Sequence, residues 1–235
     1  MSSYLSSTLQ ASHPPCLVVH SSRVSPASRL IQENFKNLWD GSEMALKIEK
    51  HARRLGGLYE LVSIPYTDHR GFMSRIYDDK VFKELGLNAI WVQESRCYYA
   101  KKNIVKGFHA SLQPMLEGKS VTPMRGEVLW VVVDVRKNSP TFGQWESVRL
   151  SATKMNTLYA ERGFAHGSIS LTDDVELLLR ADNYYSEETG TGILWCDSEL
   201  NVEWPLDGAE PIILERDKHY PTFREFREKH GGVIL

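Results

Sequence analysis

Short apolar runs separated by turn residues dominate the chain after Leu58. These runs are rich in Val, Ile, Tyr and Trp and leave no room for repeated crossover helices, which favours an antiparallel sandwich or barrel. The clearest run lies in GEVLWVVVDVR, where the residues are apolar on both faces from Val128 until Asp134. It predicts a central strand covered on both sides. The turn KNSPTFG and a strand through Val148 and Leu150 complete a hairpin.

A further strand is predicted over Val175 to Arg180. A helical pattern replaces the strand pattern at both ends of the chain. After the break at Pro221, a final amphipathic helix is predicted to include Phe223 and Phe226. The pattern between residues 26 and 57 predicts two short helices, the second of which ends at the glycine pair 56–57. Their apolar faces comprise Ile31, Phe35 and Leu38 in the first helix, and Ala45, Ile48, Ala52 and Leu55 in the second. We therefore divide the chain into a partly helical N-terminal extension, residues 1–57, and a main domain, residues 58–235.

Composition excludes several classes of function. The formal net charge of -2 over 235 residues gives no general attraction for nucleic acid or anionic lipid. No apolar run approaches the roughly 18 to 20 residues that cross a bilayer. Cys16, Cys97 and Cys196 are odd in number and lack the spacing of a zinc site, which is typical of free thiols in a reducing compartment. We expect a cytoplasmic protein that binds neither nucleic acid nor membrane.

The stretch VKGFHAS, residues 105–111, places one histidine among apolar residues. Several segments around it resemble, in order and spacing, the dTDP-4-dehydrorhamnose 3,5-epimerase family of cupin-like jelly rolls. They are DHRGFMSRIY, WVQES, VKGFHAS, EGKSV, RGEVLWVVVDVRKNSPTFGQW, GFAHG, DNYY, GILWCD and ERDKHYP. The resemblance covers residues 58–221 and implies an all-β, cupin-like antiparallel jelly roll with a helical N-terminal extension and a short C-terminal helix.

The resemblance also implies an isomerase that epimerises a carbon beside a ketone. Such a reaction needs a base to remove a C–H proton, and histidine titrates in the right range to take and release protons. By position His109 is that base, Asp217 holds its ring in the useful tautomer, and Lys119 faces the developing enolate oxygen. Taken alone, each residue has a plainer interpretation: a histidine in a strand commonly serves the sheet, and Asp217 and Lys119 suit a solvated surface.

Further residues match positions that contact the substrate in this family. Arg70 matches a residue at the nucleotide diphosphate, where a guanidinium binds phosphate in a bidentate fork. The remaining substrate-binding candidates are Gln93, Lys106, His166 and Tyr185. The His-x-His plus glutamate cluster of metal-binding cupins is missing around His109, so we predict neither a metal nor an organic cofactor. The predicted partners are a nucleotide-diphosphate sugar and a second copy of the chain.

Three residues depart from the family pattern. Lys106 stands where the family has arginine, and Leu179 stands where it has the tyrosine that serves as the acid. Arg75 stands where the family often has an acidic residue near the base of the nucleotide. This difference suggests a nucleotide other than thymidine. We predict an epimerase of a nucleotide-linked 4-keto-6-deoxy sugar in deoxysugar biosynthesis, acting at C3 or at C3 and C5. Two alternatives stay open: a 3,4-ketoisomerase, and a sugar-nucleotide binding protein without activity.

Overall fold

Two mainly antiparallel β-sheets face each other in the part of the chain that the computed structural model describes, residues 47–88 and 90–235. We call them sheet 1 and sheet 2. In spatial order, sheet 1 contains β1 (Lys47–Ala52), β2 (Leu58–Ile64), β10 (Asn156–Ala160), β7 (Lys119–Arg125), β12 (Val175–Ala181) and β5 (Gln93–Tyr99). Sheet 2 contains β13 (Gly190–Gly192), β6 (Ile104–Ser111), β11 (Phe164–Ser170), β8 (Glu127–Asp134) and β9 (Trp145–Ser151), and β14 (Ile212–Ile213) pairs with β6 in parallel.

Smaller elements surround the sandwich. A two-stranded hairpin joins β3 (Tyr66–Asp68) and β4 (Gly71–Met73). The helical elements are α1 (Asp79–Glu84), a 3₁₀ helix (Glu215–His219) and α2 (Phe223–His230). None of the helices in the described residues is long and apolar enough to span a membrane.

Apolar side chains fill three layers. The central layer lies between the sheets and includes Val121 and Leu177 of sheet 1 and Val132 of sheet 2. The outer face of sheet 2 packs against α2 through Phe226, and the outer face of sheet 1 packs against α1 through Phe82. Both sheets are therefore covered on both faces, which explains why their strands read as apolar runs rather than as strict alternation.

The strongest sequence patterns are confirmed. Strand β8 covers the predicted central run, β9 pairs with it as a hairpin, and β12 covers the predicted strand over Val175 to Arg180. Helix α2 begins at a capping box in which Thr222 and Glu225 exchange side-chain to backbone hydrogen bonds. It ends at Gly231, whose φ of 63° suits glycine.

The second predicted N-terminal helix is wrong over its described part. Residues 47–52 form strand β1, which pairs with β2 at the edge of sheet 1, so this sheet begins before residue 58. Ile48 is buried while the residues on either side of it are exposed, and one buried residue in a charged edge strand leaves little period-two signal. Pairing with β2 therefore outweighs a helical spacing that rests on Ile48, Ala52 and Leu55. The first predicted helix and the start of the second lie outside the described residues.

A β-bulge in strand β6 shapes the interior of the sandwich. His166 of β11 stands opposite His109, but Ser168 stands opposite Lys106, so β6 contains one residue more than β11 over this interval. Gly107 lies at the irregularity with a φ of 97°, and a Cβ there would lie 2.3 Å from the carbonyl oxygen of His166. Only glycine fits that close approach. The bulge lets Lys106 and His109 line the same cavity although they are three residues apart.

Candidate active site

A cavity of about 300 Å³ lies between the two sheets, at the lower end of the size range of small-molecule sites. Sheet 2 lines it with Lys106, His109, Trp130, His166 and Ser168. The opposite wall belongs mainly to sheet 1 and includes Gln93, Cys97, Lys119 and Leu179. Of the eight site residues predicted from the sequence, the structure brings six to this cavity as lining residues: Gln93, Lys106, His109, Lys119, His166 and Tyr185.

Asp217 reaches the site from the far end of the chain. The 3₁₀ helix carries it beneath β6, where Nε2 of His109 lies 3.1 Å from both of its carboxylate oxygens. Oδ2 of Asp217 also accepts a hydrogen bond from the backbone N–H of Gly107, at 3.0 Å. Because only 2 % of the Asp217 side chain is exposed, both bonds are protected from water.

The bond to Asp217 fixes the tautomer of His109. A carboxylate only accepts, so Nε2 carries the proton and Nδ1 keeps its lone pair. Burial is the largest influence on this ring and lowers the pKa of His109 below its ordinary value, although the Asp217 carboxylate works in the opposite direction. The neutral ring, which is the form that can accept a proton, therefore predominates at neutral pH.

Lys119 supplies positive charge on the opposite wall. Its Nζ lies 2.8 Å from Oε1 of Glu117, and 23 % of its side chain is exposed. Its charge contributes to lowering the pKa of both His109 and His166, after burial in each case. The Lys119 ammonium can thus donate a hydrogen bond to a ligand oxygen in the cavity that gains negative charge.

His166 is an oriented donor. Its Nδ1 accepts a hydrogen bond from Nε1 of Trp130, at 3.2 Å, so in the neutral ring the proton lies on Nε2. Nε2 is buried and has no hydrogen-bond partner among the described residues. Burial lowers the pKa of His166 well below its ordinary value, which keeps the ring neutral. A buried N–H without a partner is costly, and a polar atom of a bound ligand would satisfy it.

Lys106 turns into the cavity. Its Nζ lies 3.1 Å from Sγ of Cys97 and 4.1 Å from the centre of the Tyr99 ring. The hydroxyl of Tyr99 is hydrogen-bonded to Ser168 at 2.8 Å. Lys106 was predicted to bind substrate, and in this structure its immediate neighbours are a thiol and an aromatic face.

Two predicted residues lie at the mouth and one lies outside. Oε1 of Gln93 accepts a hydrogen bond from the backbone N–H of Tyr185, at 2.7 Å, and the Tyr185 side chain is exposed. Arg70 does not line the cavity: it lies on the exposed hairpin β3–β4, paired with Asp68 at 2.6 Å. Its predicted contact with a diphosphate stays a prediction.

Leu179 lines the cavity from β12. The position at which the resemblance expects an acid tyrosine therefore faces the site and carries no proton donor. No three His, Cys, Asp or Glu side chains of the described residues form a cluster that suits a metal ion.

Trp130, Cys97 and Tyr220 were missed at the sequence level. Tyr220 packs edge-on against His109 with 5.7 Å between ring centres. The period of two along β5 carries a signal for Cys97, because it places Cys97 on the same face as Gln93. Trp130 sits inside an apolar run, where only its N–H distinguishes it from a core residue.

Solved structures of sugar epimerases share this architecture. The RmlC epimerase of Mycobacterium tuberculosis superposes with a TM-score of 0.76 at 30% identity, covering 80% of this chain and 94% of that one. ChmJ of Streptomyces bikiniensis, described as a 3'-monoepimerase in complex with dTDP-quinovose, gives a TM-score of 0.72 at 28% identity and covers 79% and 92%. Fold and cavity thus define a jelly-roll protein of the sugar-epimerase class.

The family follows from the sequence match. A family model described as dTDP-4-dehydrorhamnose 3,5-epimerase matches residues 52–225, so the chain belongs to that family. The dTDP-4-dehydrorhamnose 3,5-epimerase of Salmonella typhimurium is 42% identical over 158 residues, which is 63% of this chain and 86% of that relative. These matches confirm the predicted family, the jelly-roll fold and the assignment to the epimerases, which are isomerases.

Proposed function

We propose that this protein epimerises C3 of a nucleotide-linked 4-keto-6-deoxy sugar, with His109 as the base. The observation that carries the proposal is the buried Asp217 carboxylate 3.1 Å from Nε2 of a histidine that lines the cavity. Because this carboxylate accepts from Nε2, Nδ1 is the ring atom that can accept a proton. The pair is the arrangement by which a carboxylate orients a general base.

The reaction begins when Nδ1 of His109 removes the proton from C3. The adjacent ketone takes up the electron pair as an enolate, so negative charge develops on its oxygen. We assign Lys119 and Nε2–H of His166, two residues that line the cavity, as the donors for that oxygen. A general base of this kind contributes about 10² to 10⁴ in rate.

Relatives support the substrate class. The protein of Legionella pneumophila was solved in complex with dTDP-4-keto-L-rhamnose, at 29% identity to this chain, and NovW is described as a 4-keto-6-deoxy sugar epimerase. We favour inversion at C3 alone, because Leu179 removes the usual acid and ChmJ is described as a 3'-monoepimerase. Arg70 remains our candidate for the diphosphate.

Incubation with dTDP-linked and other nucleotide-linked 4-keto-6-deoxy sugars in deuterium oxide tests the proposal. Deuterium at C3 alone, with inversion, is the expected result. Deuterium at both C3 and C5 would identify a double epimerase, and a carbonyl moved from C4 to C3 would identify a ketoisomerase. No exchange with any of these substrates would favour the inactive binding protein.

The His109→Asn variant tests the base. We expect deuterium uptake at C3 to fall by about 10²-fold or more, because an amide does not accept a proton near neutral pH. Exchange at the wild-type rate would refute the role of His109. A nucleotide titration of the same variant serves as the control, since loss of the base leaves the rest of the cavity in place.

We also propose a homodimer. The hairpin β3–β4 exposes Phe72 and Met73, 52% and 58% respectively, and such neighbouring apolar side chains suit a partner surface. Light scattering after size exclusion, with a Phe72→Ser and Met73→Ser double variant as comparison, tests it. The predicted cytoplasmic location stays a prediction.

A further inference from the structure

We propose that the Cys97 thiol returns the proton to C3, in place of the tyrosine whose position Leu179 occupies. This inference rests on the proposed epimerase function. Inversion requires a donor on the face of the sugar opposite the base. His109 belongs to sheet 2, so that donor must come from the wall that sheet 1 provides.

The register of β5 and β12 places Cys97 close to position 179, where the family has its acid tyrosine and this chain has leucine. Leu179 pairs with Ser95, and Leu177 pairs with Cys97. Side chains of directly opposed residues share a face, and diagonal neighbours in such a pair lie within reach of long side chains. Cys97 and Leu179 both line the cavity, so the thiol serves the region that a tyrosine at position 179 would reach.

Other protic groups of β5 are less suited. The Tyr99 hydroxyl is hydrogen-bonded to Ser168, its side chain is buried, and burial followed by the neighbouring Cys97 raises its pKa above the ordinary value. Ser95 carries an alcohol, which is a much weaker acid than a thiol. Gln93 has no acidic proton.

The two cations that sheet 1 contributes to the cavity, Lys119 and Arg180, are also committed elsewhere. Lys119 is paired with Glu117, and the proposed mechanism assigns its ammonium to the enolate oxygen. Arg180 is paired with Glu94 at 2.7 Å, and a guanidinium does not give up a proton in proteins.

Lys106 suits Cys97 to this task. An ammonium only donates hydrogen bonds, so its contact at 3.1 Å uses the sulfur as an acceptor and leaves the thiol proton out of that bond. A nearby cation stabilises a thiolate. Lys106 therefore faces the sulfur atom from which the proton leaves. Independently of this contact, His166 lines the same cavity, and its buried Nε2 has no hydrogen-bond partner among the described residues.

The proton and electron balance closes without a further reactant. The C3–H bond breaks, its proton passes to His109, and its electrons form the enolate. The S–H bond of Cys97 then breaks, its proton forms the new C3–H bond on the other face, and the ketone is restored. Protonated His109 and the Cys97 thiolate return to their starting forms by proton exchange with water.

Cys97→Ala and Cys97→Ser separate exchange from inversion. In deuterium oxide, wild type takes up deuterium at C3 and inverts it. We expect both variants to keep deuterium uptake, because His109 still removes the proton and exchanges it, while inversion falls at least about 10²-fold. Deuterium then accumulates with retained configuration. Cys196→Ala is the matched control, since Cys196 is exposed and does not line the cavity; it should invert as wild type does.

A second substitution adds a gain of function. Leu179→Tyr in the Cys97→Ala background restores a phenol to this wall, and we expect inversion at least tenfold faster than in Cys97→Ala alone. Inversion within twofold of wild type in both Cys97 variants would overturn the assignment. Loss of inversion in Tyr185→Phe but not in Cys97→Ala would also overturn it, in favour of the phenol at the mouth. If wild type itself shows no exchange, the proposed function fails instead, and the two failures are thereby distinguished.

Discussion

His109 and Asp217 meet across 108 residues of sequence, with Nε2 of the ring 3.1 Å from each carboxylate oxygen. The same carboxylate binds the backbone N–H of Gly107. The buried Asp217 side chain thus orients the His109 ring and also stabilises the bulge at Gly107 that lies next to this ring. Changes at Asp217 should affect the chemistry more than the binding of substrate.

Asp217→Asn should lower kcat by about 10²-fold or more while KM stays within about threefold. An amide can donate to the ring as well as accept from it, so the tautomer with a proton on Nδ1 becomes accessible and the base is lost. Steady-state kinetics on the substrate found by deuterium exchange measures both constants. A raised KM with kcat unchanged would contradict the role that we assign to Asp217.

Trp130→Phe should lower kcat/KM about tenfold, which corresponds to ~1.4 kcal/mol. The change removes the N–H that holds Nδ1 of His166 as an acceptor, so the ring can present a lone pair to the cavity instead of a donor. Nitrogen NMR of His166 reads the tautomer directly. Trp145→Phe is the control, because Trp145 donates to the Leu200 carbonyl, away from the cavity; equal losses in both variants would count against the prediction.

Gly107→Ala should destabilise the fold by ~1–3 kcal/mol from backbone strain, and by more if the clash with the His166 carbonyl is not relieved. Gly56→Ala is the matched control. A Cβ at Gly56 meets no atom of the described residues within 4 Å, so its effect should stay within about 0.5 kcal/mol. Denaturant unfolding measures both free energies, and equal stability of the two variants would show that the bulge tolerates a side chain.

Stability should fall as pH falls below the ordinary histidine pKa of about 6.5. The folded-state pKa values of His109 and His166 are both lowered by burial. The unfolded chain therefore binds more protons than the folded chain in this window, and the free energy of unfolding decreases with decreasing pH. His166 alone accounts for a slope of about 1.4 kcal/mol per pH unit once its unfolded form is fully protonated.

Urea unfolding between pH 7.5 and 5, where most carboxylates remain ionised, measures this slope. His166→Phe should reduce this slope, because one of the two groups that take up a proton on unfolding is gone. A slope that is the same in the variant and in wild type would show that His166 does not titrate as its burial implies.

The apolar pattern by itself determined the elements that lie in the middle of a sheet or carry a complete local signal. Strand β8 was evident because β-branched residues run along both of its faces. Helix α2 was evident because its apolar face follows a proline and precedes two glycines. These signals depend on neighbours in sequence, so no knowledge of the fold is required to read them. The motif resemblance added the family, together with His109, Lys119 and Asp217.

Tertiary structure alone decided three features. Strand β1 exists because an edge strand finds hydrogen bonds on β2, although its own residues also fit a helix. Lys106 and His109 share a cavity because an additional residue at Gly107 interrupts the alternation of β6. Cys97 and Leu179 come together through the register of β5 with β12, a pairing between strands about 80 residues apart in sequence. The entropic cost of closing a loop grows only slowly with its length, so such distant pairing is possible. Local sequence encodes which face of a strand a side chain prefers. Which residue of another strand lies next to that side chain depends on long-range pairing. The cavity is lined by residues brought together in this way, so only the tertiary structure shows the site.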